Sequence, residues 1–195
     1  MAKKHQLKDS EFNLKPKELQ KIIYAASSLR DRCILKTLAQ TGIRRAELAA
    51  LDIRDLDFDK KRLRIVEGKG AKERIVPISS ELASDLQLLI DKRKTGPVFV
   101  SRLGDYLSPR TVNDIVAQAG LEASIENPNP RYASLNPHIF RHSFARIWKA
   151  KGGSIESLSK ILGHSSVATT LDLYGTESIE DVQENYERLI DEMFG

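Results

Sequence analysis

The sequence predicts an α+β fold, a mostly helical single domain with a small antiparallel β-hairpin sheet. Two observations predict it. Apolar residues recur at helical spacing along most of the 195 residues, whereas two β-branched runs flank one glycine-containing turn near the middle of the chain. Because no internal repeat or low-complexity tract divides the chain, and because its length suffices for a sizeable core, we expect one domain.

Three helices are predicted before the sheet, at "LKPKELQKIIYAASS", "LRDRCILKTLAQTG" and "RRAELAAL". The first has Pro16 near its start, and Gly42 stops the second. Tyr24 lies on the apolar stripe of the first helix, so we expect it in the core. Residues 1–14 are expected to form a flexible N-terminal segment before a folded domain over residues 15–175.

The hairpin is predicted from the runs "RLRIV" and "ERIVPI" on either side of the turn "EGKGAK". A further short strand is predicted at "GPVFVS". Helices follow at "SSELASDLQLLIDKRK", "SPRTVNDIVAQAGLEA" and "PHIFRHSFARIWKAKGG", with serine or proline at their starts. Two short helical segments, "SIESLSKILGHSS" and "VATTLDLYG", precede an amphipathic helix in residues 176–195.

Charge and cysteine content limit the class of protein. Residues 154–195 carry nine acidic and two basic side chains, so a net charge of −7 there leaves +11 on the rest of a chain whose total is +4. A basic body with an acidic tail favours a nucleic-acid partner, although an ordinary solvated surface also explains it.

The lone Cys33 excludes an internal disulfide and suits the cytoplasm. Without an apolar leader or a long run free of charge, we expect neither export nor a membrane span.

The stretch "HIFRH" concentrates cations. On a helix, His138, Arg141 and His142 share one face, because side chains three and four positions apart are neighbours. One interpretation is zinc ligation by the two histidines, with His164 as the third ligand. Since the arginine between them would repel a metal ion, we favour an anion site with no metal.

Other cationic or nucleophilic side chains stand in the short blocks "TGIRRAEL", "GKGAKER", "LGHSS" and "LDLYG". They are Arg44, Arg45, Lys69, Lys72, Arg74, His164 and Tyr174. Guanidinium groups bind the non-bridging oxygens of a phosphoryl group, and a lysine or histidine can protonate a leaving alkoxide. A tyrosine hydroxyl can be the nucleophile. The blocks therefore predict phosphoryl transfer.

In this order, the blocks resemble the tyrosine recombinase (phage integrase) family over roughly residues 18–174. The resemblance implies the following catalytic residues: Arg44, Lys69, His138, Arg141, His164 and Tyr174, with Glu47 and His142 in support. His142 is expected to be buried beside Arg141. Arg45, Lys72 and Arg74 match no catalytic position, so we expect them to contact DNA, with a surface or packing role as the alternative for each.

The resemblance also implies a mechanism. Tyr174 attacks the scissile phosphodiester and becomes joined to the 3′-phosphate of the DNA. Arg44 and Arg141 neutralise the charge of the transition state, Lys69 protonates the departing 5′-oxygen, and the two motif histidines assist in proton transfer and phosphate binding. A second 5′-hydroxyl then attacks the phosphotyrosine, so neither ATP nor a metal ion is expected.

Double-stranded DNA is the implied partner, with a monomer expected in the absence of DNA and a homotetramer on synapsed DNA. Residues 176–195 are expected either to pack on their own domain or, as the family resemblance implies, to be exchanged between protomers. The helical core-binding domain that usually precedes the catalytic domain is expected to be absent. Two other functions stay open: DNA relaxation of the type IB topoisomerase kind, and a non-catalytic DNA-binding module.

Overall fold

The computed structural model describes residues 12–66, 73–164 and 166–175. These ranges contain eight helices and one three-stranded sheet, which confirms the predicted class. The helices are α1 (Pro16–Ala25), α2 (Leu29–Thr41), α3 (Arg45–Ala49), α4 (Ser80–Ile90), α5 (Pro109–Glu122), α6 (Pro137–Ala150), α7 (Ile155–Leu162) and α8 (Val167–Tyr174). The strands are β1 (Leu56–Asp57), β2 (Arg62–Val66) and β3 (Glu73–Pro77).

The sheet is antiparallel, in the order β1-β2-β3. In the predicted hairpin, β2 and β3 pair from Arg62 opposite Pro77 to Val66 opposite Glu73. Leu63, Ile65 and Val76 are buried, because alternate side chains of each strand face the core.

The sequence analysis was wrong about "GPVFVS". This segment makes only two isolated bridges, in which Pro97 pairs with Asp52 and Val100 pairs with Tyr106. Val98 and Phe99 of this segment are buried in the core, which explains why the segment is apolar although it forms no strand. The short strand β1 was not predicted, since two residues are too few to show a period.

Helix α2 lies at the centre of the core. Cys33, Ile34, Leu35 and Leu38 on it are fully buried, and it packs against α1, α4 and α6. It ends at Gly42, whose φ of 62° is the left-handed conformation that favours glycine. A side chain there would also collide with α6, because a Cβ atom would stand 2.8 Å from Cδ1 of Phe144.

Two expectations about the N-terminal part of the chain are corrected. Leu14, placed in the flexible segment, is 1% exposed, and its backbone N–H donates to Ser143 Oγ at 2.8 Å. Tyr24, expected in the core, is 66% exposed. Leu19, Ile22 and Ile23 form the buried stripe of α1, and a residue one position beyond that stripe is turned about 100° away from it.

Among the described residues, no helix combines the length and the apolar character that crossing a bilayer requires. The expectations for Lys69, Lys72, the segment 1–11 and the helix in 176–195 concern residues outside the described ranges.

Candidate active site

Helix α6 presents the "HIFRH" residues. Asn136 caps it by accepting hydrogen bonds from the backbone N–H groups of His138 and Ile139, and Pro137 occupies the first turn. His138 lies exposed in that turn, whereas the side chain of Arg141, one turn later, is buried. The predicted cationic face is therefore divided, because His138 contacts solvent and Arg141 lies in the interior.

Arg141 joins three of the sequence blocks. Its Nη1 donates to the carbonyl of Gly42 at 2.7 Å, and its Nη2 donates to the carbonyl of Leu162 at 2.8 Å. Both carbonyls stand at the C-terminal ends of helices, α2 and α7, where unpaired carbonyls and the helix dipole favour a cation. Burial, followed by the charge of Arg44, lowers the pKa of Arg141 to about 10, so the group stays protonated at neutral pH.

His164 follows Gly163, which ends α7 with a φ of 69°. Its Nε2 lies 3.1 Å from Nη2 of Arg141, and its Nδ1 lies 2.7 Å from Thr170 Oγ1. A guanidinium only donates, so Nε2 accepts, and the ring proton is assigned to Nδ1, which donates to Thr170. Burial and then the charge of Arg141 lower the pKa of His164 to about 4. The imidazole is therefore neutral.

Arg44 is anchored by a buried carboxylate. Glu47 Oε2 accepts from the backbone N–H of Arg44 at 2.6 Å, which caps α3, and Oε1 accepts from Arg44 Nη1 at 3.0 Å. The carboxylate also takes both terminal nitrogens of Arg74, at 2.7 and 2.8 Å. The side chain of Glu47 is 6% exposed, whereas that of Arg44 is 38% exposed. Arg44 is thus the arginine of this group that solvent reaches most readily.

The structure contradicts the DNA contact expected for Arg74. Its side chain is 9% exposed, and besides Glu47 it binds the carbonyl of Ile161 at 2.8 Å through Nε. Since all three guanidinium nitrogens donate to the protein, this side chain is not placed to reach a DNA phosphate. Arg45 lies half-buried at the first position of α3, and its expected DNA contact stays a prediction.

Tyr174, at the end of α8, is 3% exposed and packs with Ala145, Leu158 and Leu162. Its hydroxyl lies 2.8 Å from Nδ1 of His142. Burial raises the pKa of Tyr174, and the charges of Arg141 and Arg146 oppose this effect. The hydroxyl is therefore protonated at neutral pH.

His142 differs from its expected position. It is half-buried and contacts the tyrosine hydroxyl, whereas we expected it to support Arg141. Neighbouring residues on a helix point about 100° apart, so Arg141 and His142 reach different partners. His142 also lines a cavity of about 150 Å³, together with His138 and Tyr132.

Sequence reasoning missed Thr170 and the two carbonyls that hold Arg141. Thr170 stands four residues before Tyr174 on α8, on the same face, and this polar residue at helical spacing was the available signal. The carbonyls of Gly42 and Leu162 carry no signal in the sequence, because every residue has one.

Residues of four sequence blocks interact within the described part of the chain. Arg141 contacts His164 directly, and the charge of Arg44 acts on both of them. Tyr174 approaches from α8, close enough for the Arg141 charge to affect its pKa. These arginines, the neutral imidazole and the phenol are the kinds of group that nucleophilic attack on a phosphodiester needs.

Comparison with known proteins shows the family of this chain. The model of the phage integrase family matches residues 13–180. Tyrosine recombinase XerC from Pelobacter propionicus is 35% identical over 164 residues, covering 82% of this chain and 52% of that protein. The relative carries the name of a recombinase, so the topoisomerase-like alternative is not favoured.

Solved structures show the same fold. The crystal structure of XerA recombinase superposes with a TM-score of 0.77 at 31% identity, over 90% of this chain and 64% of that one. XerH recombinase, in a pre-cleavage complex with its difH substrate, superposes with a TM-score of 0.72 at 23% identity, over 93% of this chain and 55% of that one. The chain thus spans between half and two thirds of the length of these relatives. It belongs to the phage integrase family, and its fold is that of the tyrosine recombinases.

Proposed function

We propose that this chain is the catalytic domain of a site-specific DNA recombinase, which cleaves and rejoins DNA through a 3′-phosphotyrosyl intermediate. The observation that carries the proposal is the meeting of Arg141 with His164 beside Arg44 and Tyr174, four groups from four separate blocks. Double-stranded DNA as substrate is further supported by XerH, which was solved on its DNA substrate.

In the proposed reaction, the Tyr174 oxygen attacks the scissile phosphorus and the bond to the 5′-oxygen breaks. Arg44 and Arg141 bind the non-bridging oxygens, which gain charge in the transition state. Lys69 gives its proton to the leaving 5′-oxygen, and His138 takes part in moving the proton of the tyrosine. Attack of another strand's 5′-hydroxyl on the phosphotyrosine then rejoins the DNA and releases Tyr174.

Two of the side chains must change partners for this reaction. His164 binds a phosphate oxygen only by donating from Nε2, which now accepts from Arg141. Tyr174 is buried, with its hydroxyl on His142, so DNA binding has to bring that hydroxyl toward Arg141. The state described here is therefore a resting state of the proposed enzyme.

The nucleophile is tested with a nicked suicide DNA that contains candidate crossover sites. The wild-type protein is expected to form a covalent protein–DNA band, and Tyr174→Phe is expected to form none, because the phenyl ring has no oxygen to attack phosphorus. Tyr24→Phe is the matched control, since the same atom is removed from an exposed tyrosine on α1. A covalent band with Tyr174→Phe would show that another residue is the nucleophile.

We further propose a monomer in solution and a homotetramer on synapsed DNA, acting in the cytoplasm. An apolar groove between α2 and α6, with a volume of about 390 Å³, is lined by Ala39, Phe144, Ile147, Trp148, Lys151 and Gly153. The acidic, amphipathic segment 176–195 of a neighbouring protomer is the proposed occupant. Its apolar residues suit the aromatic and aliphatic side chains that line the groove, and its acidic residues suit the exposed Lys151.

A further inference from the structure

The carboxylate of Glu47 is saturated by donors. It accepts four hydrogen bonds, two from Arg44 and two from Arg74. Burial alone raises the pKa of Glu47, but the hydrogen bonds from Arg74 and Arg44 lower it below its usual value. With Arg141 nearby, three guanidinium groups share this one negative charge, so the group keeps a net positive charge that an incoming anion can balance.

Arg74 reaches this carboxylate from the sheet. It stands on β3, five residues after Lys69, and its Nε donates to the carbonyl of Ile161, next to the Leu162 carbonyl that holds Arg141. The fit is tight, because a Cβ atom at Gly163 would stand 2.8 Å from Cδ of Arg74. One guanidinium therefore connects strand β3 near the hairpin turn, the N-terminus of α3 and the C-terminus of α7.

We propose that Arg74 is a positioning residue for DNA cleavage. It holds Glu47, and Glu47 in turn holds Arg44 at the phosphate site. It also fixes the end of α7, from which His164 and the carbonyl bound to Arg141 project. This inference rests on the proposed function, but it concerns a residue that touches neither the phosphate nor the nucleophile. This role requires three nitrogen atoms spread in one plane, since Nε, Nη1 and Nη2 of Arg74 each have a different acceptor. A lysine has a single nitrogen atom and cannot reach all three acceptors.

A role limited to stability explains the arrangement less well. Burying several guanidinium groups around one carboxylate is an inefficient way to stabilise a fold, because desolvation offsets much of the attraction. Arg93 illustrates the structural alternative, because it donates to the backbone carbonyls of Pro97, Leu89 and Val98, none of which belongs to the site. It provides a matched control for the loss of an arginine that binds carbonyl groups.

The test compares Arg74→Met, Arg74→Lys and Arg93→Met with the wild type in single-turnover cleavage of the suicide DNA. Measurements are made well below the unfolding temperature of every variant. Both Arg74 variants are expected to cleave on the order of 10²-fold more slowly, with unchanged DNA affinity, since a small misplacement of a catalytic group suffices for such a loss. Arg93→Met is expected to be less stable but to cleave at the wild-type rate.

Three results would overturn the inference. If Arg74→Met weakened DNA binding and lowered the salt slope by about one, while Arg74→Lys kept the wild-type affinity, Arg74 would be a phosphate contact. Wild-type cleavage rates in both Arg74 variants would mean a structural role alone. In the background of Glu47→Gln, Arg74→Met should cause little further loss, and a full additional loss would show that Arg74 does not act through Glu47.

A spectroscopic measurement separates this inference from the proposed function. The ¹⁵N relaxation of the Arg44 Nε–H group reports how firmly its guanidinium is held, with or without any DNA substrate. We expect this group to become more mobile in Arg74→Met and to be unchanged in Arg93→Met. If the wild type cleaved no DNA, the proposed function would fail, yet a mobile Arg44 would still support the positioning role. An equally rigid Arg44 in Arg74→Met would refute that role.

Discussion

His164 shows how the surroundings of a single residue set its protonation. Its Nδ1–H donates to Thr170 Oγ1, its Nε2 accepts from Arg141, and burial and then the charge of Arg141 lower its pKa to about 4. Burial and the charge of Arg141 therefore favour the neutral ring, and the bond to Thr170 places its proton on Nδ1. In the proposed enzyme, a bound phosphate separates Arg141 from the imidazole, and the ring then has to present a proton at Nε2.

The lowered pKa of His164 predicts a pH dependence of stability. The unfolded chain binds this proton near pH 6.5 and the folded chain only near pH 4, so the unfolded state holds more protons in between. The free energy of unfolding should therefore fall as the pH drops through this window, by about 1 kcal/mol per pH unit at most.

The measurement is urea denaturation at several pH values for the wild type and His164→Gln. Glutamine cannot take up the proton, and all other titrating groups are shared, so the difference between the two curves isolates His164. The wild type should lose stability relative to the variant below about pH 6.5. Parallel curves would show that His164 titrates normally in the folded protein.

At the scale of elements, the site depends on where helices end. Helices α2 and α7 both end in left-handed glycines, and carbonyls at these ends hold Arg141. Gly42 has a second constraint, because a Cβ atom there would stand 2.8 Å from Phe144 and 2.9 Å from Leu162. The position of Arg141 is thus tied to the contact between α2 and α6.

Gly42→Ala is expected to be destabilising for two reasons. The left-handed conformation costs a non-glycine residue about 1–2 kcal/mol, and a Cβ atom 2.8 Å from Phe144 adds about 1–3 kcal/mol of overpacking. Gly104→Ala is the matched control, since Gly104 has a φ of 85° but nothing within 4 Å of a Cβ. Urea denaturation should show a clearly larger loss for Gly42→Ala, and equal losses would remove the crowding argument.

At the scale of the whole molecule, the proposed assembly is tested at the groove between α2 and α6. Trp148 is the only tryptophan of the chain and lines this groove, so its fluorescence reports occupancy. A synthetic peptide of residues 176–195, added to protein shortened to residues 1–175, is expected to shift the emission to shorter wavelength in a saturable way. A scrambled peptide of the same composition is the control, and identical effects of the two peptides would argue against docking.

Much of this architecture was predictable because it is local. Helical spacing, capping serines and the β-branched hairpin gave correct positions for the helices and for β2 and β3. The failures at "GPVFVS" and Leu14 concern burial against distant parts of the chain, whereas Tyr24 lies one position beyond the buried stripe of its own helix. Local periodicity does not report which distant surface covers a residue.

By itself, the sequence determined the order of the elements and which side chains are chemically able to act on a phosphodiester, because both depend on residue type and short spacing. Only the tertiary structure decided which partners those side chains have. In the folded chain, Arg74 binds the buried Glu47 and His142 binds the Tyr174 hydroxyl. Arg141 donates to carbonyls at the ends of two helices. The physical reason is that a charged side chain is compatible with solvent, DNA or a buried counter-ion, and only the packing of distant segments selects among them.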